Sequence, residues 1–179
     1  MGAADLKFKG CRERICIMTE IVLRPFQPDD TDWIVSRHAE LYAEAEGFDG
    51  TFGPLVAGIV ADFVNHGDPQ REAGWIAEQD GQRLGSIFCC HGKDPATAKL
   101  RLFLIEPEAR GKGLGHLLLD VCMSFAREAG YRRMELWTHE SHRAACALYA
   151  KFGWRLTESR PVHSFGVDLI EQSWEIALD

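Results

Sequence analysis

One segment changes its periodicity midway, and few folds accommodate that change. In "AKLRLFLIEP", residues 98–107, apolar side chains alternate with others, as they do along a strand. In "LGHLLLDVCMSFAREAG", Leu114, Leu117, Leu118, Val121, Cys122 and Phe125 recur at helical spacing, which predicts a helix stopped by Gly130. Pro107 ends the strand because proline cannot donate to a ladder. "EARGKGLG" makes the turn between them. Glycines at 111, 113 and 115 let a bound group come close to the backbone. The first turn of a helix leaves N–H donors unpaired, and its dipole favours an anion. Arg110 and Lys112 add positive charge beside those donors. From these residues alone the loop is either a basic strand-to-helix turn or a cradle for phosphates.

The rest of the chain supplies the frame. "ICIMTEIVLRPF" reads as a strand ending at Pro25, and "PDDTDW" offers Asp and Thr as caps. Ile34, His38, Leu41, Tyr42 and Ala45 place a helix over "DWIVSRHAELYAEAEGF", closed by Gly47. "GPLVAGIVADFVNHG" is a second helix, with Leu55, Ile59, Phe63 and Val64 on its apolar side. "GWIAEQDGQRLGSIFCCHG" reads as a hairpin about Asp80-Gly81. "RRMELWTHE" is a short strand, and "SHRAACALYAKFG" is a helix closed by Gly153. "WRLTESRP" and "QSWEIALD" are two last strands, with "VHSFGVDLIE" as the loop between them. The order β-α-α-β-β-β-α-β-α-β-β is not the regular alternation of a doubly wound fold.

The 179 residues suffice for one core. Residues 1–17 read as an N-terminal extension that need not be ordered, and 18–179 as a single domain. A net charge of −7 argues against broad binding to nucleic acid or to an anionic membrane. No apolar run reaches the ~20 residues of a membrane span. The six cysteines contain no C-x-x-C pair and read as reduced thiols of a cytoplasmic protein. In the vicinal pair Cys89-Cys90, strand alternation predicts one thiol in the core and one outside. No bound metal is expected.

Two phosphate-binding patterns fail on the glycine loop. G-x-x-x-x-G-K-[ST] does not occur, and G-x-G-x-x-G fails at His116. R-x-x-G-x-G after "LFLIEPEA", followed by a leucine-rich helix, instead resembles motif A of the GCN5-related N-acetyltransferases. "ALYAKFGW" downstream is similar to that family's "LYxKxGF" motif B. The stretches "KLRLFLIEPEARGKGLG", "YRRMELWT" and "HSFGVDL" further resemble acetyltransferase domains fused to MarR-type regulators, although no DNA-binding region of that kind is expected in these residues.

The resemblance implies a mixed α/β fold: a mostly antiparallel, splayed and twisted sheet of six to seven strands, flanked by about four helices. It implies acetyl-CoA as co-substrate. The pantetheine arm would pair with the backbone of Leu104 and Ile105, and the pyrophosphate would meet Arg110, Gly111, Lys112, Gly113, Leu114 and Gly115. Tyr149 would protonate the departing CoA thiolate. Many members have asparagine where this chain has His142; an imidazole also hydrogen-bonds, so His142 is retained as a cofactor contact.

The implied reaction is acyl transfer from the thioester to a primary amine of a small molecule or a protein. The amine must lose a proton from a pKa near ~10.4, the oxyanion needs a donor, and the thiolate gains from a proton donor. A tyrosine, with a pKa near ~10, is protonated at neutral pH and suits the last role. Glu46, Glu106, Glu140 and His163 are candidate bases, His163 because it falls in a loop and titrates near neutrality. Trp33, Tyr42, Phe48, Phe52 and Phe63 are either core or the acceptor wall that related folds place there. Glu44, Glu46 and Asp49 beside them would suit a cationic acceptor. A non-catalytic acyl-CoA-binding sensor or interaction module is the rival reading, and the terminal strands offer an edge through which two copies could pair.

Overall fold

The computed structural model describes residues 21–178; the expected extension over residues 1–17 lies outside them. Among the described residues, seven strands form one sheet and four helices flank it. β1 (Val22–Pro25) is followed by α1 (Thr31–Glu46) and α2 (Phe52–His66). β2 (Ala73–Gln79), β3 (Gln82–His91) and β4 (Thr97–Ile105) come next. Then α3 (Leu114–Glu128), β5 (Arg133–His139) and α4 (Arg143–Lys151) lead to β6 (Arg155–Ser164) and β7 (Val167–Ala177). The sheet order is β1-β2-β3-β4-β5-β7-β6. Every neighbouring pair is antiparallel except β4 with β5, whose crossover carries α3. No described helix is long and apolar enough to cross a membrane.

Helices cover both faces of the sheet, and two apolar clusters result. α3, α4 and residues such as Ala77, Ile87 and Cys89 build one. α1, α2, Ile76, Phe88 and Cys90 build the other. This corrects the reading of the vicinal thiols. Alternation does send them to opposite faces, but both faces are covered, so both are buried.

Local chemistry explains most boundaries. The two-residue turn Asp80-Gly81 has both residues at positive φ, 54° and 76°, as the right-handed twist of a tight hairpin requires. Gly47 closes α1 in the left-handed region. The expected capping by Asp30 does not occur. Its buried carboxylate takes Arg24 and Arg83 and the Gln27 amide instead, fastening β1 and β3 to the start of α1. Burial pushes that carboxyl up, but those partners outweigh it and hold it well below the usual carboxylate range.

Two expectations about faces and loops are corrected. α2 buries Phe52, Val56 and Val60, whereas Leu55 and Val64 are 39% and 47% exposed. The core face therefore runs at i, i+4 and i+8 from the first aromatic residue. The supposed loop "VHSFGVDLIE" is almost all strand: β6 and β7 turn about Phe165-Gly166, at φ 53° and 76°. β6 is one of the two edge strands among the described residues and carries Glu158, Arg160 and Pro161, residue types that blunt edge-to-edge pairing.

The site depends on β4. Leu102 sits at φ +50°, and the register slips from Ser86 opposite Leu104 to Phe88 opposite Arg101, so β4 carries one extra residue there. Ser86 Oγ donates to the Leu102 carbonyl at 2.7 Å and holds the bulge. A left-handed leucine costs about 1–2 kcal/mol, offset by its burial. Beyond the bulge the strand bends. β4 and β5 pair only over Thr97, Ala98 and Lys99 against Arg133, Met134 and Glu135. From there they diverge, and a cleft opens through the sheet.

Candidate functional site

The cleft begins at the glycine loop. After Pro107–Ala109 forms a 3-10 turn, Gly111 and Gly113 adopt φ 74° and 83°. A Cβ at either would meet nothing within 4 Å. Backbone conformation, not crowding, demands glycine there, and the space outside is open to a ligand. Gly115 differs: its Cβ would lie 3.1 Å from Ile105 Cδ1 and 3.2 Å from Leu148 Cδ2. That glycine lets α3 lie close against β4 and α4. The amides of His116 and Leu117 bond the Gly113 carbonyl, and no described backbone acceptor serves the amides of residues 111–115. Five free donors at the positive end of a 15-residue helix fit a pyrophosphate.

The side chains of the loop divide. Arg110 Nε donates to the Ile105 carbonyl at 3.0 Å, so the guanidinium caps the end of β4 and faces the cleft. Lys112 is exposed and Leu114 is buried in the core, so neither side chain lines the cavity at the loop. Lys151 of α4 does line it and supplies a cation that sequence reading missed.

Three cavities follow one another along the cleft. The first, about 380 Å³, lies over Gly111, Gly113 and Gly115. The second, about 400 Å³, lies between Leu104 and Ile105 on one side and His142 and Tyr149 on the other. The two share Phe103, Ile105 and Arg110. The third, about 90 Å³, shares Tyr42, Thr138, His142 and Tyr149 with the second and runs between α2 and the divergent strands. Residues 100–105 of β4 have no partner in β5, so that edge is free to pair with an amide-bearing arm.

Tyr149 is where the second and third cavities meet. Its ring packs against Phe103, Trp154 and Trp174. Burial, then the neighbouring Tyr42, pushes its phenol well above the usual tyrosine value, so it stays protonated at neutral pH. Tyr42 is pushed up to about 12, again chiefly by burial.

His142 is held at both nitrogens. Nδ1 lies 3.2 Å from Thr138 Oγ1, and Nε2 lies 3.4 Å from Glu46 Oε1. Burial lowers its pKa, so the neutral ring fits both contacts with one tautomer: Nε2–H toward Glu46, Nδ1 accepting from Thr138. Two further imidazoles line the third cavity, and sequence reading missed both. His139 is 2% exposed, its Nδ1 has no partner, and burial followed by His142 lowers its pKa to about 4. His38 Nδ1 donates to the Ile34 carbonyl at 2.8 Å, and burial lowers that ring to about 4 as well. Both are neutral at pH 7.

Of the four candidate bases, Glu46 alone stands in the cleft. Glu106 is buried and clamped by Arg37, whose Nε and Nη2 reach its two oxygens at 2.7 and 2.6 Å. Glu140 is exposed and lines none of the three cavities. His163 lies on β6, exposed and bonded to Asp168 at 2.7 Å. The expected cationic-acceptor wall also dissolves: Glu46 faces His142, Asp49 caps Thr51, and Glu44 is exposed. The early aromatics split between roles. Tyr42 and Phe52 line the third cavity with Phe48 and Phe165 stacked behind them, whereas Phe63 packs on Phe26 and Phe88 and, like Trp33, sits half-buried against the core.

Residues 26–154 match the family model described as "Acetyltransferase (GNAT) family". N-acetyltransferase 8 of Rattus norvegicus is 31% identical over 87 residues, 46% of this chain and 39% of that protein. Mycothiol acetyltransferase of Pseudarthrobacter chlorophenolicus is 28% identical over 141 residues, 74% of this chain and 42% of that protein. The chain thus spans about two fifths of the length of these curated relatives. The fold is that of yncA from Salmonella typhimurium, solved with its cofactor acetyl-CoA: TM-score 0.70, 19% identity, covering 90% of this chain and 95% of that one.

Proposed function

The chain belongs to the GNAT family of acetyltransferases, and from that premise we propose that it moves an acetyl group from acetyl-CoA to a primary amine of a small molecule or protein. The observation that carries this reading is the unbroken cleft from the free amides of residues 111–115, past the unpaired edge of β4, to Tyr149.

In this reading the loop amides, with Arg110 and Lys151 beside them, hold the pyrophosphate. The backbone of Leu104 and Ile105 pairs with the pantetheine arm, and His142 closes the opposite wall. Acetyl-CoA supplies an activated acyl thioester. The neutral amine attacks its carbonyl carbon; a C–N bond forms and the C–S bond breaks. Tyr149 gives its proton to the departing sulfur. A backbone N–H of the splayed β4 edge serves the oxyanion. Glu46, which lines the cleft beside His142, is the carboxylate within reach of a proton leaving it.

Two measurements test this. Acetyl-CoA at ~100 times its Kd stabilises the fold by about 2.7 kcal/mol in a thermal-shift titration, and the absence of a shift at millimolar acetyl-CoA defeats the reading. Thiol release against a panel of amines separates an enzyme from a non-catalytic acyl-CoA sensor, which binds and does not turn over. With chemistry rate-limiting, Tyr149→Phe lowers kcat by about 10²–10⁴-fold; an unchanged kcat removes Tyr149 from the mechanism.

A further inference from the structure

Arg101 lies on β4 just before the bulge, at the junction of two cavities. One is the small acceptor-side cavity beside Tyr149. The other, about 520 Å³, opens outward along α2, and both are bordered by Leu55, Ile59 and Arg101. The guanidinium is half-buried and makes no hydrogen bond or ion pair among the described residues. A partly desolvated cation without a counter-charge is costly.

The neighbouring carboxylates Asp62 and Glu72 border the same outer cavity, but neither bonds the guanidinium. Glu72 is committed elsewhere, its oxygens taking the amides of Asp68 and His91 at 2.9 and 3.0 Å, with His91 Nε2 at 3.7 Å. Asp62 is exposed and faces His66. On the same strand Lys99 is also unpaired, and burial followed by the like charge of Arg101 lowers its pKa. Two like charges therefore stand at alternate positions of an apolar strand, and of the two Arg101 borders the opening while Lys99 lines a separate cavity. Deeper in, the wall changes character. His38 and His139 are neutral, the buried Nδ1 of His139 has no partner, and Tyr149 marks the reacting end.

We propose that the acceptor is a small primary amine that also carries a carboxylate, an amino acid in chemical class, with Arg101 as its carboxylate anchor. A guanidinium grips a carboxylate through two parallel hydrogen bonds, which leaves the amine directed along the cavity toward Tyr149. The inference rests on the transferase reading above for the position of the reacting carbon. A carboxylate could also enter on the acyl chain of the donor thioester, so the test separates the two sources.

The experiment is calorimetry on the full chain saturated with CoA, titrated with phenylalanine, methionine and leucine and with the amine left by decarboxylating each. Turnover of the same pairs is measured with acetyl-CoA and with succinyl-CoA. A charge-assisted contact predicts that each amino acid binds about 10–100-fold more tightly than its decarboxylated partner. In Arg101→Gln that preference falls to within about twofold, the decarboxylated amines are bound as before, and Arg101→Lys retains part of it. Equal binding of the two sets, no binding of any amino acid, or a preference that survives Arg101→Gln overturns the proposal. So does a preference for succinyl-CoA over acetyl-CoA that Arg101→Gln abolishes. Carboxylate-dependent binding without thiol release leaves this subsite standing and defeats the transferase reading alone.

Discussion

Replacing Arg37 by methionine tests how the end of β4 is held. Arg37 lies on α1 and Glu106 follows the last residue of β4; the two meet in a two-pronged ion pair at 2.7 and 2.6 Å. The Glu106 side chain is 6% exposed and that of Arg37 is 28%. Removing the cation strands a carboxylate that water can hardly reach, a loss of about 3–5 kcal/mol for a buried pair. Because Arg37 is a quarter exposed, solvent already screens part of the attraction, and the lower end, about 3 kcal/mol, is expected. For a domain of this size that is a fall in Tm of roughly 6–12 °C. The Glu106 amide also bonds the Leu84 carbonyl, so the strand end should remain in place while its anchor to α1 is lost. Urea unfolding of the wild type, Arg37→Met, Glu106→Gln and the double variant completes the cycle. The double variant should be more stable than Arg37→Met alone, with a coupling of about 1–3 kcal/mol. Arg37→Met within about 1 kcal/mol of the wild type, or losses that simply add, would refute the idea that Glu106 is a buried charge needing its partner.

Gly113→Ala and Gly115→Ala should fail differently. The first places alanine at a left-handed φ in open space, costing about 1–2 kcal/mol and weakening acetyl-CoA binding. The second presses a Cβ on Ile105 and Leu148 and costs about 1–3 kcal/mol through packing; equal effects of both on acetyl-CoA affinity per unit stability would contradict this division. Acidification is the third test. His38 titrates near 4 in the fold and near 6.5 when unfolded, so between those values the unfolded chain binds more protons and stability falls as pH falls. On the order of 2 kcal/mol is lost between pH 7 and 5 from that ring, and His38→Gln should flatten the urea-midpoint profile over that range; a parallel profile would show that the ring is not held neutral.

The element order was readable because each segment carries one dominant period and clear stop signals such as Gly47, Gly130 and Gly153. Faces were harder. α2 has apolar residues on both sides, and only the sheet beneath it decides that Val56 rather than Leu55 is buried. Strand alternation at Cys89-Cys90 was right, but whether the second face is covered depends on where α1 and α2 pack. The cofactor half of the site is mostly backbone, and glycines announce it. The acceptor half is assembled by the bulge at Leu102, which no periodicity reveals, and this is why His38 and His139 went unnoticed. Arg101 did leave a signal: "KLRLF" puts cations on alternate positions of an otherwise apolar strand.

The short pairing of β4 with β5 also governs how the molecule can move. Ladder bonds join the two halves of the sheet at one end alone, over three residue pairs. Widening the cleft at the other end breaks none of them. What resists widening is a strap of side chains and one amide from the α1–α2 connection: Glu46 on His142, Phe48 on His139 and Phe165, and the Asp49 amide on the Phe165 carbonyl. The gape of the cleft is thus set by aromatic stacking, one contact between a neutral imidazole and a carboxylate, and one backbone hydrogen bond, and the cleft-facing amides of β4 beyond Lys99 can exchange with solvent by a local opening that leaves the seam intact.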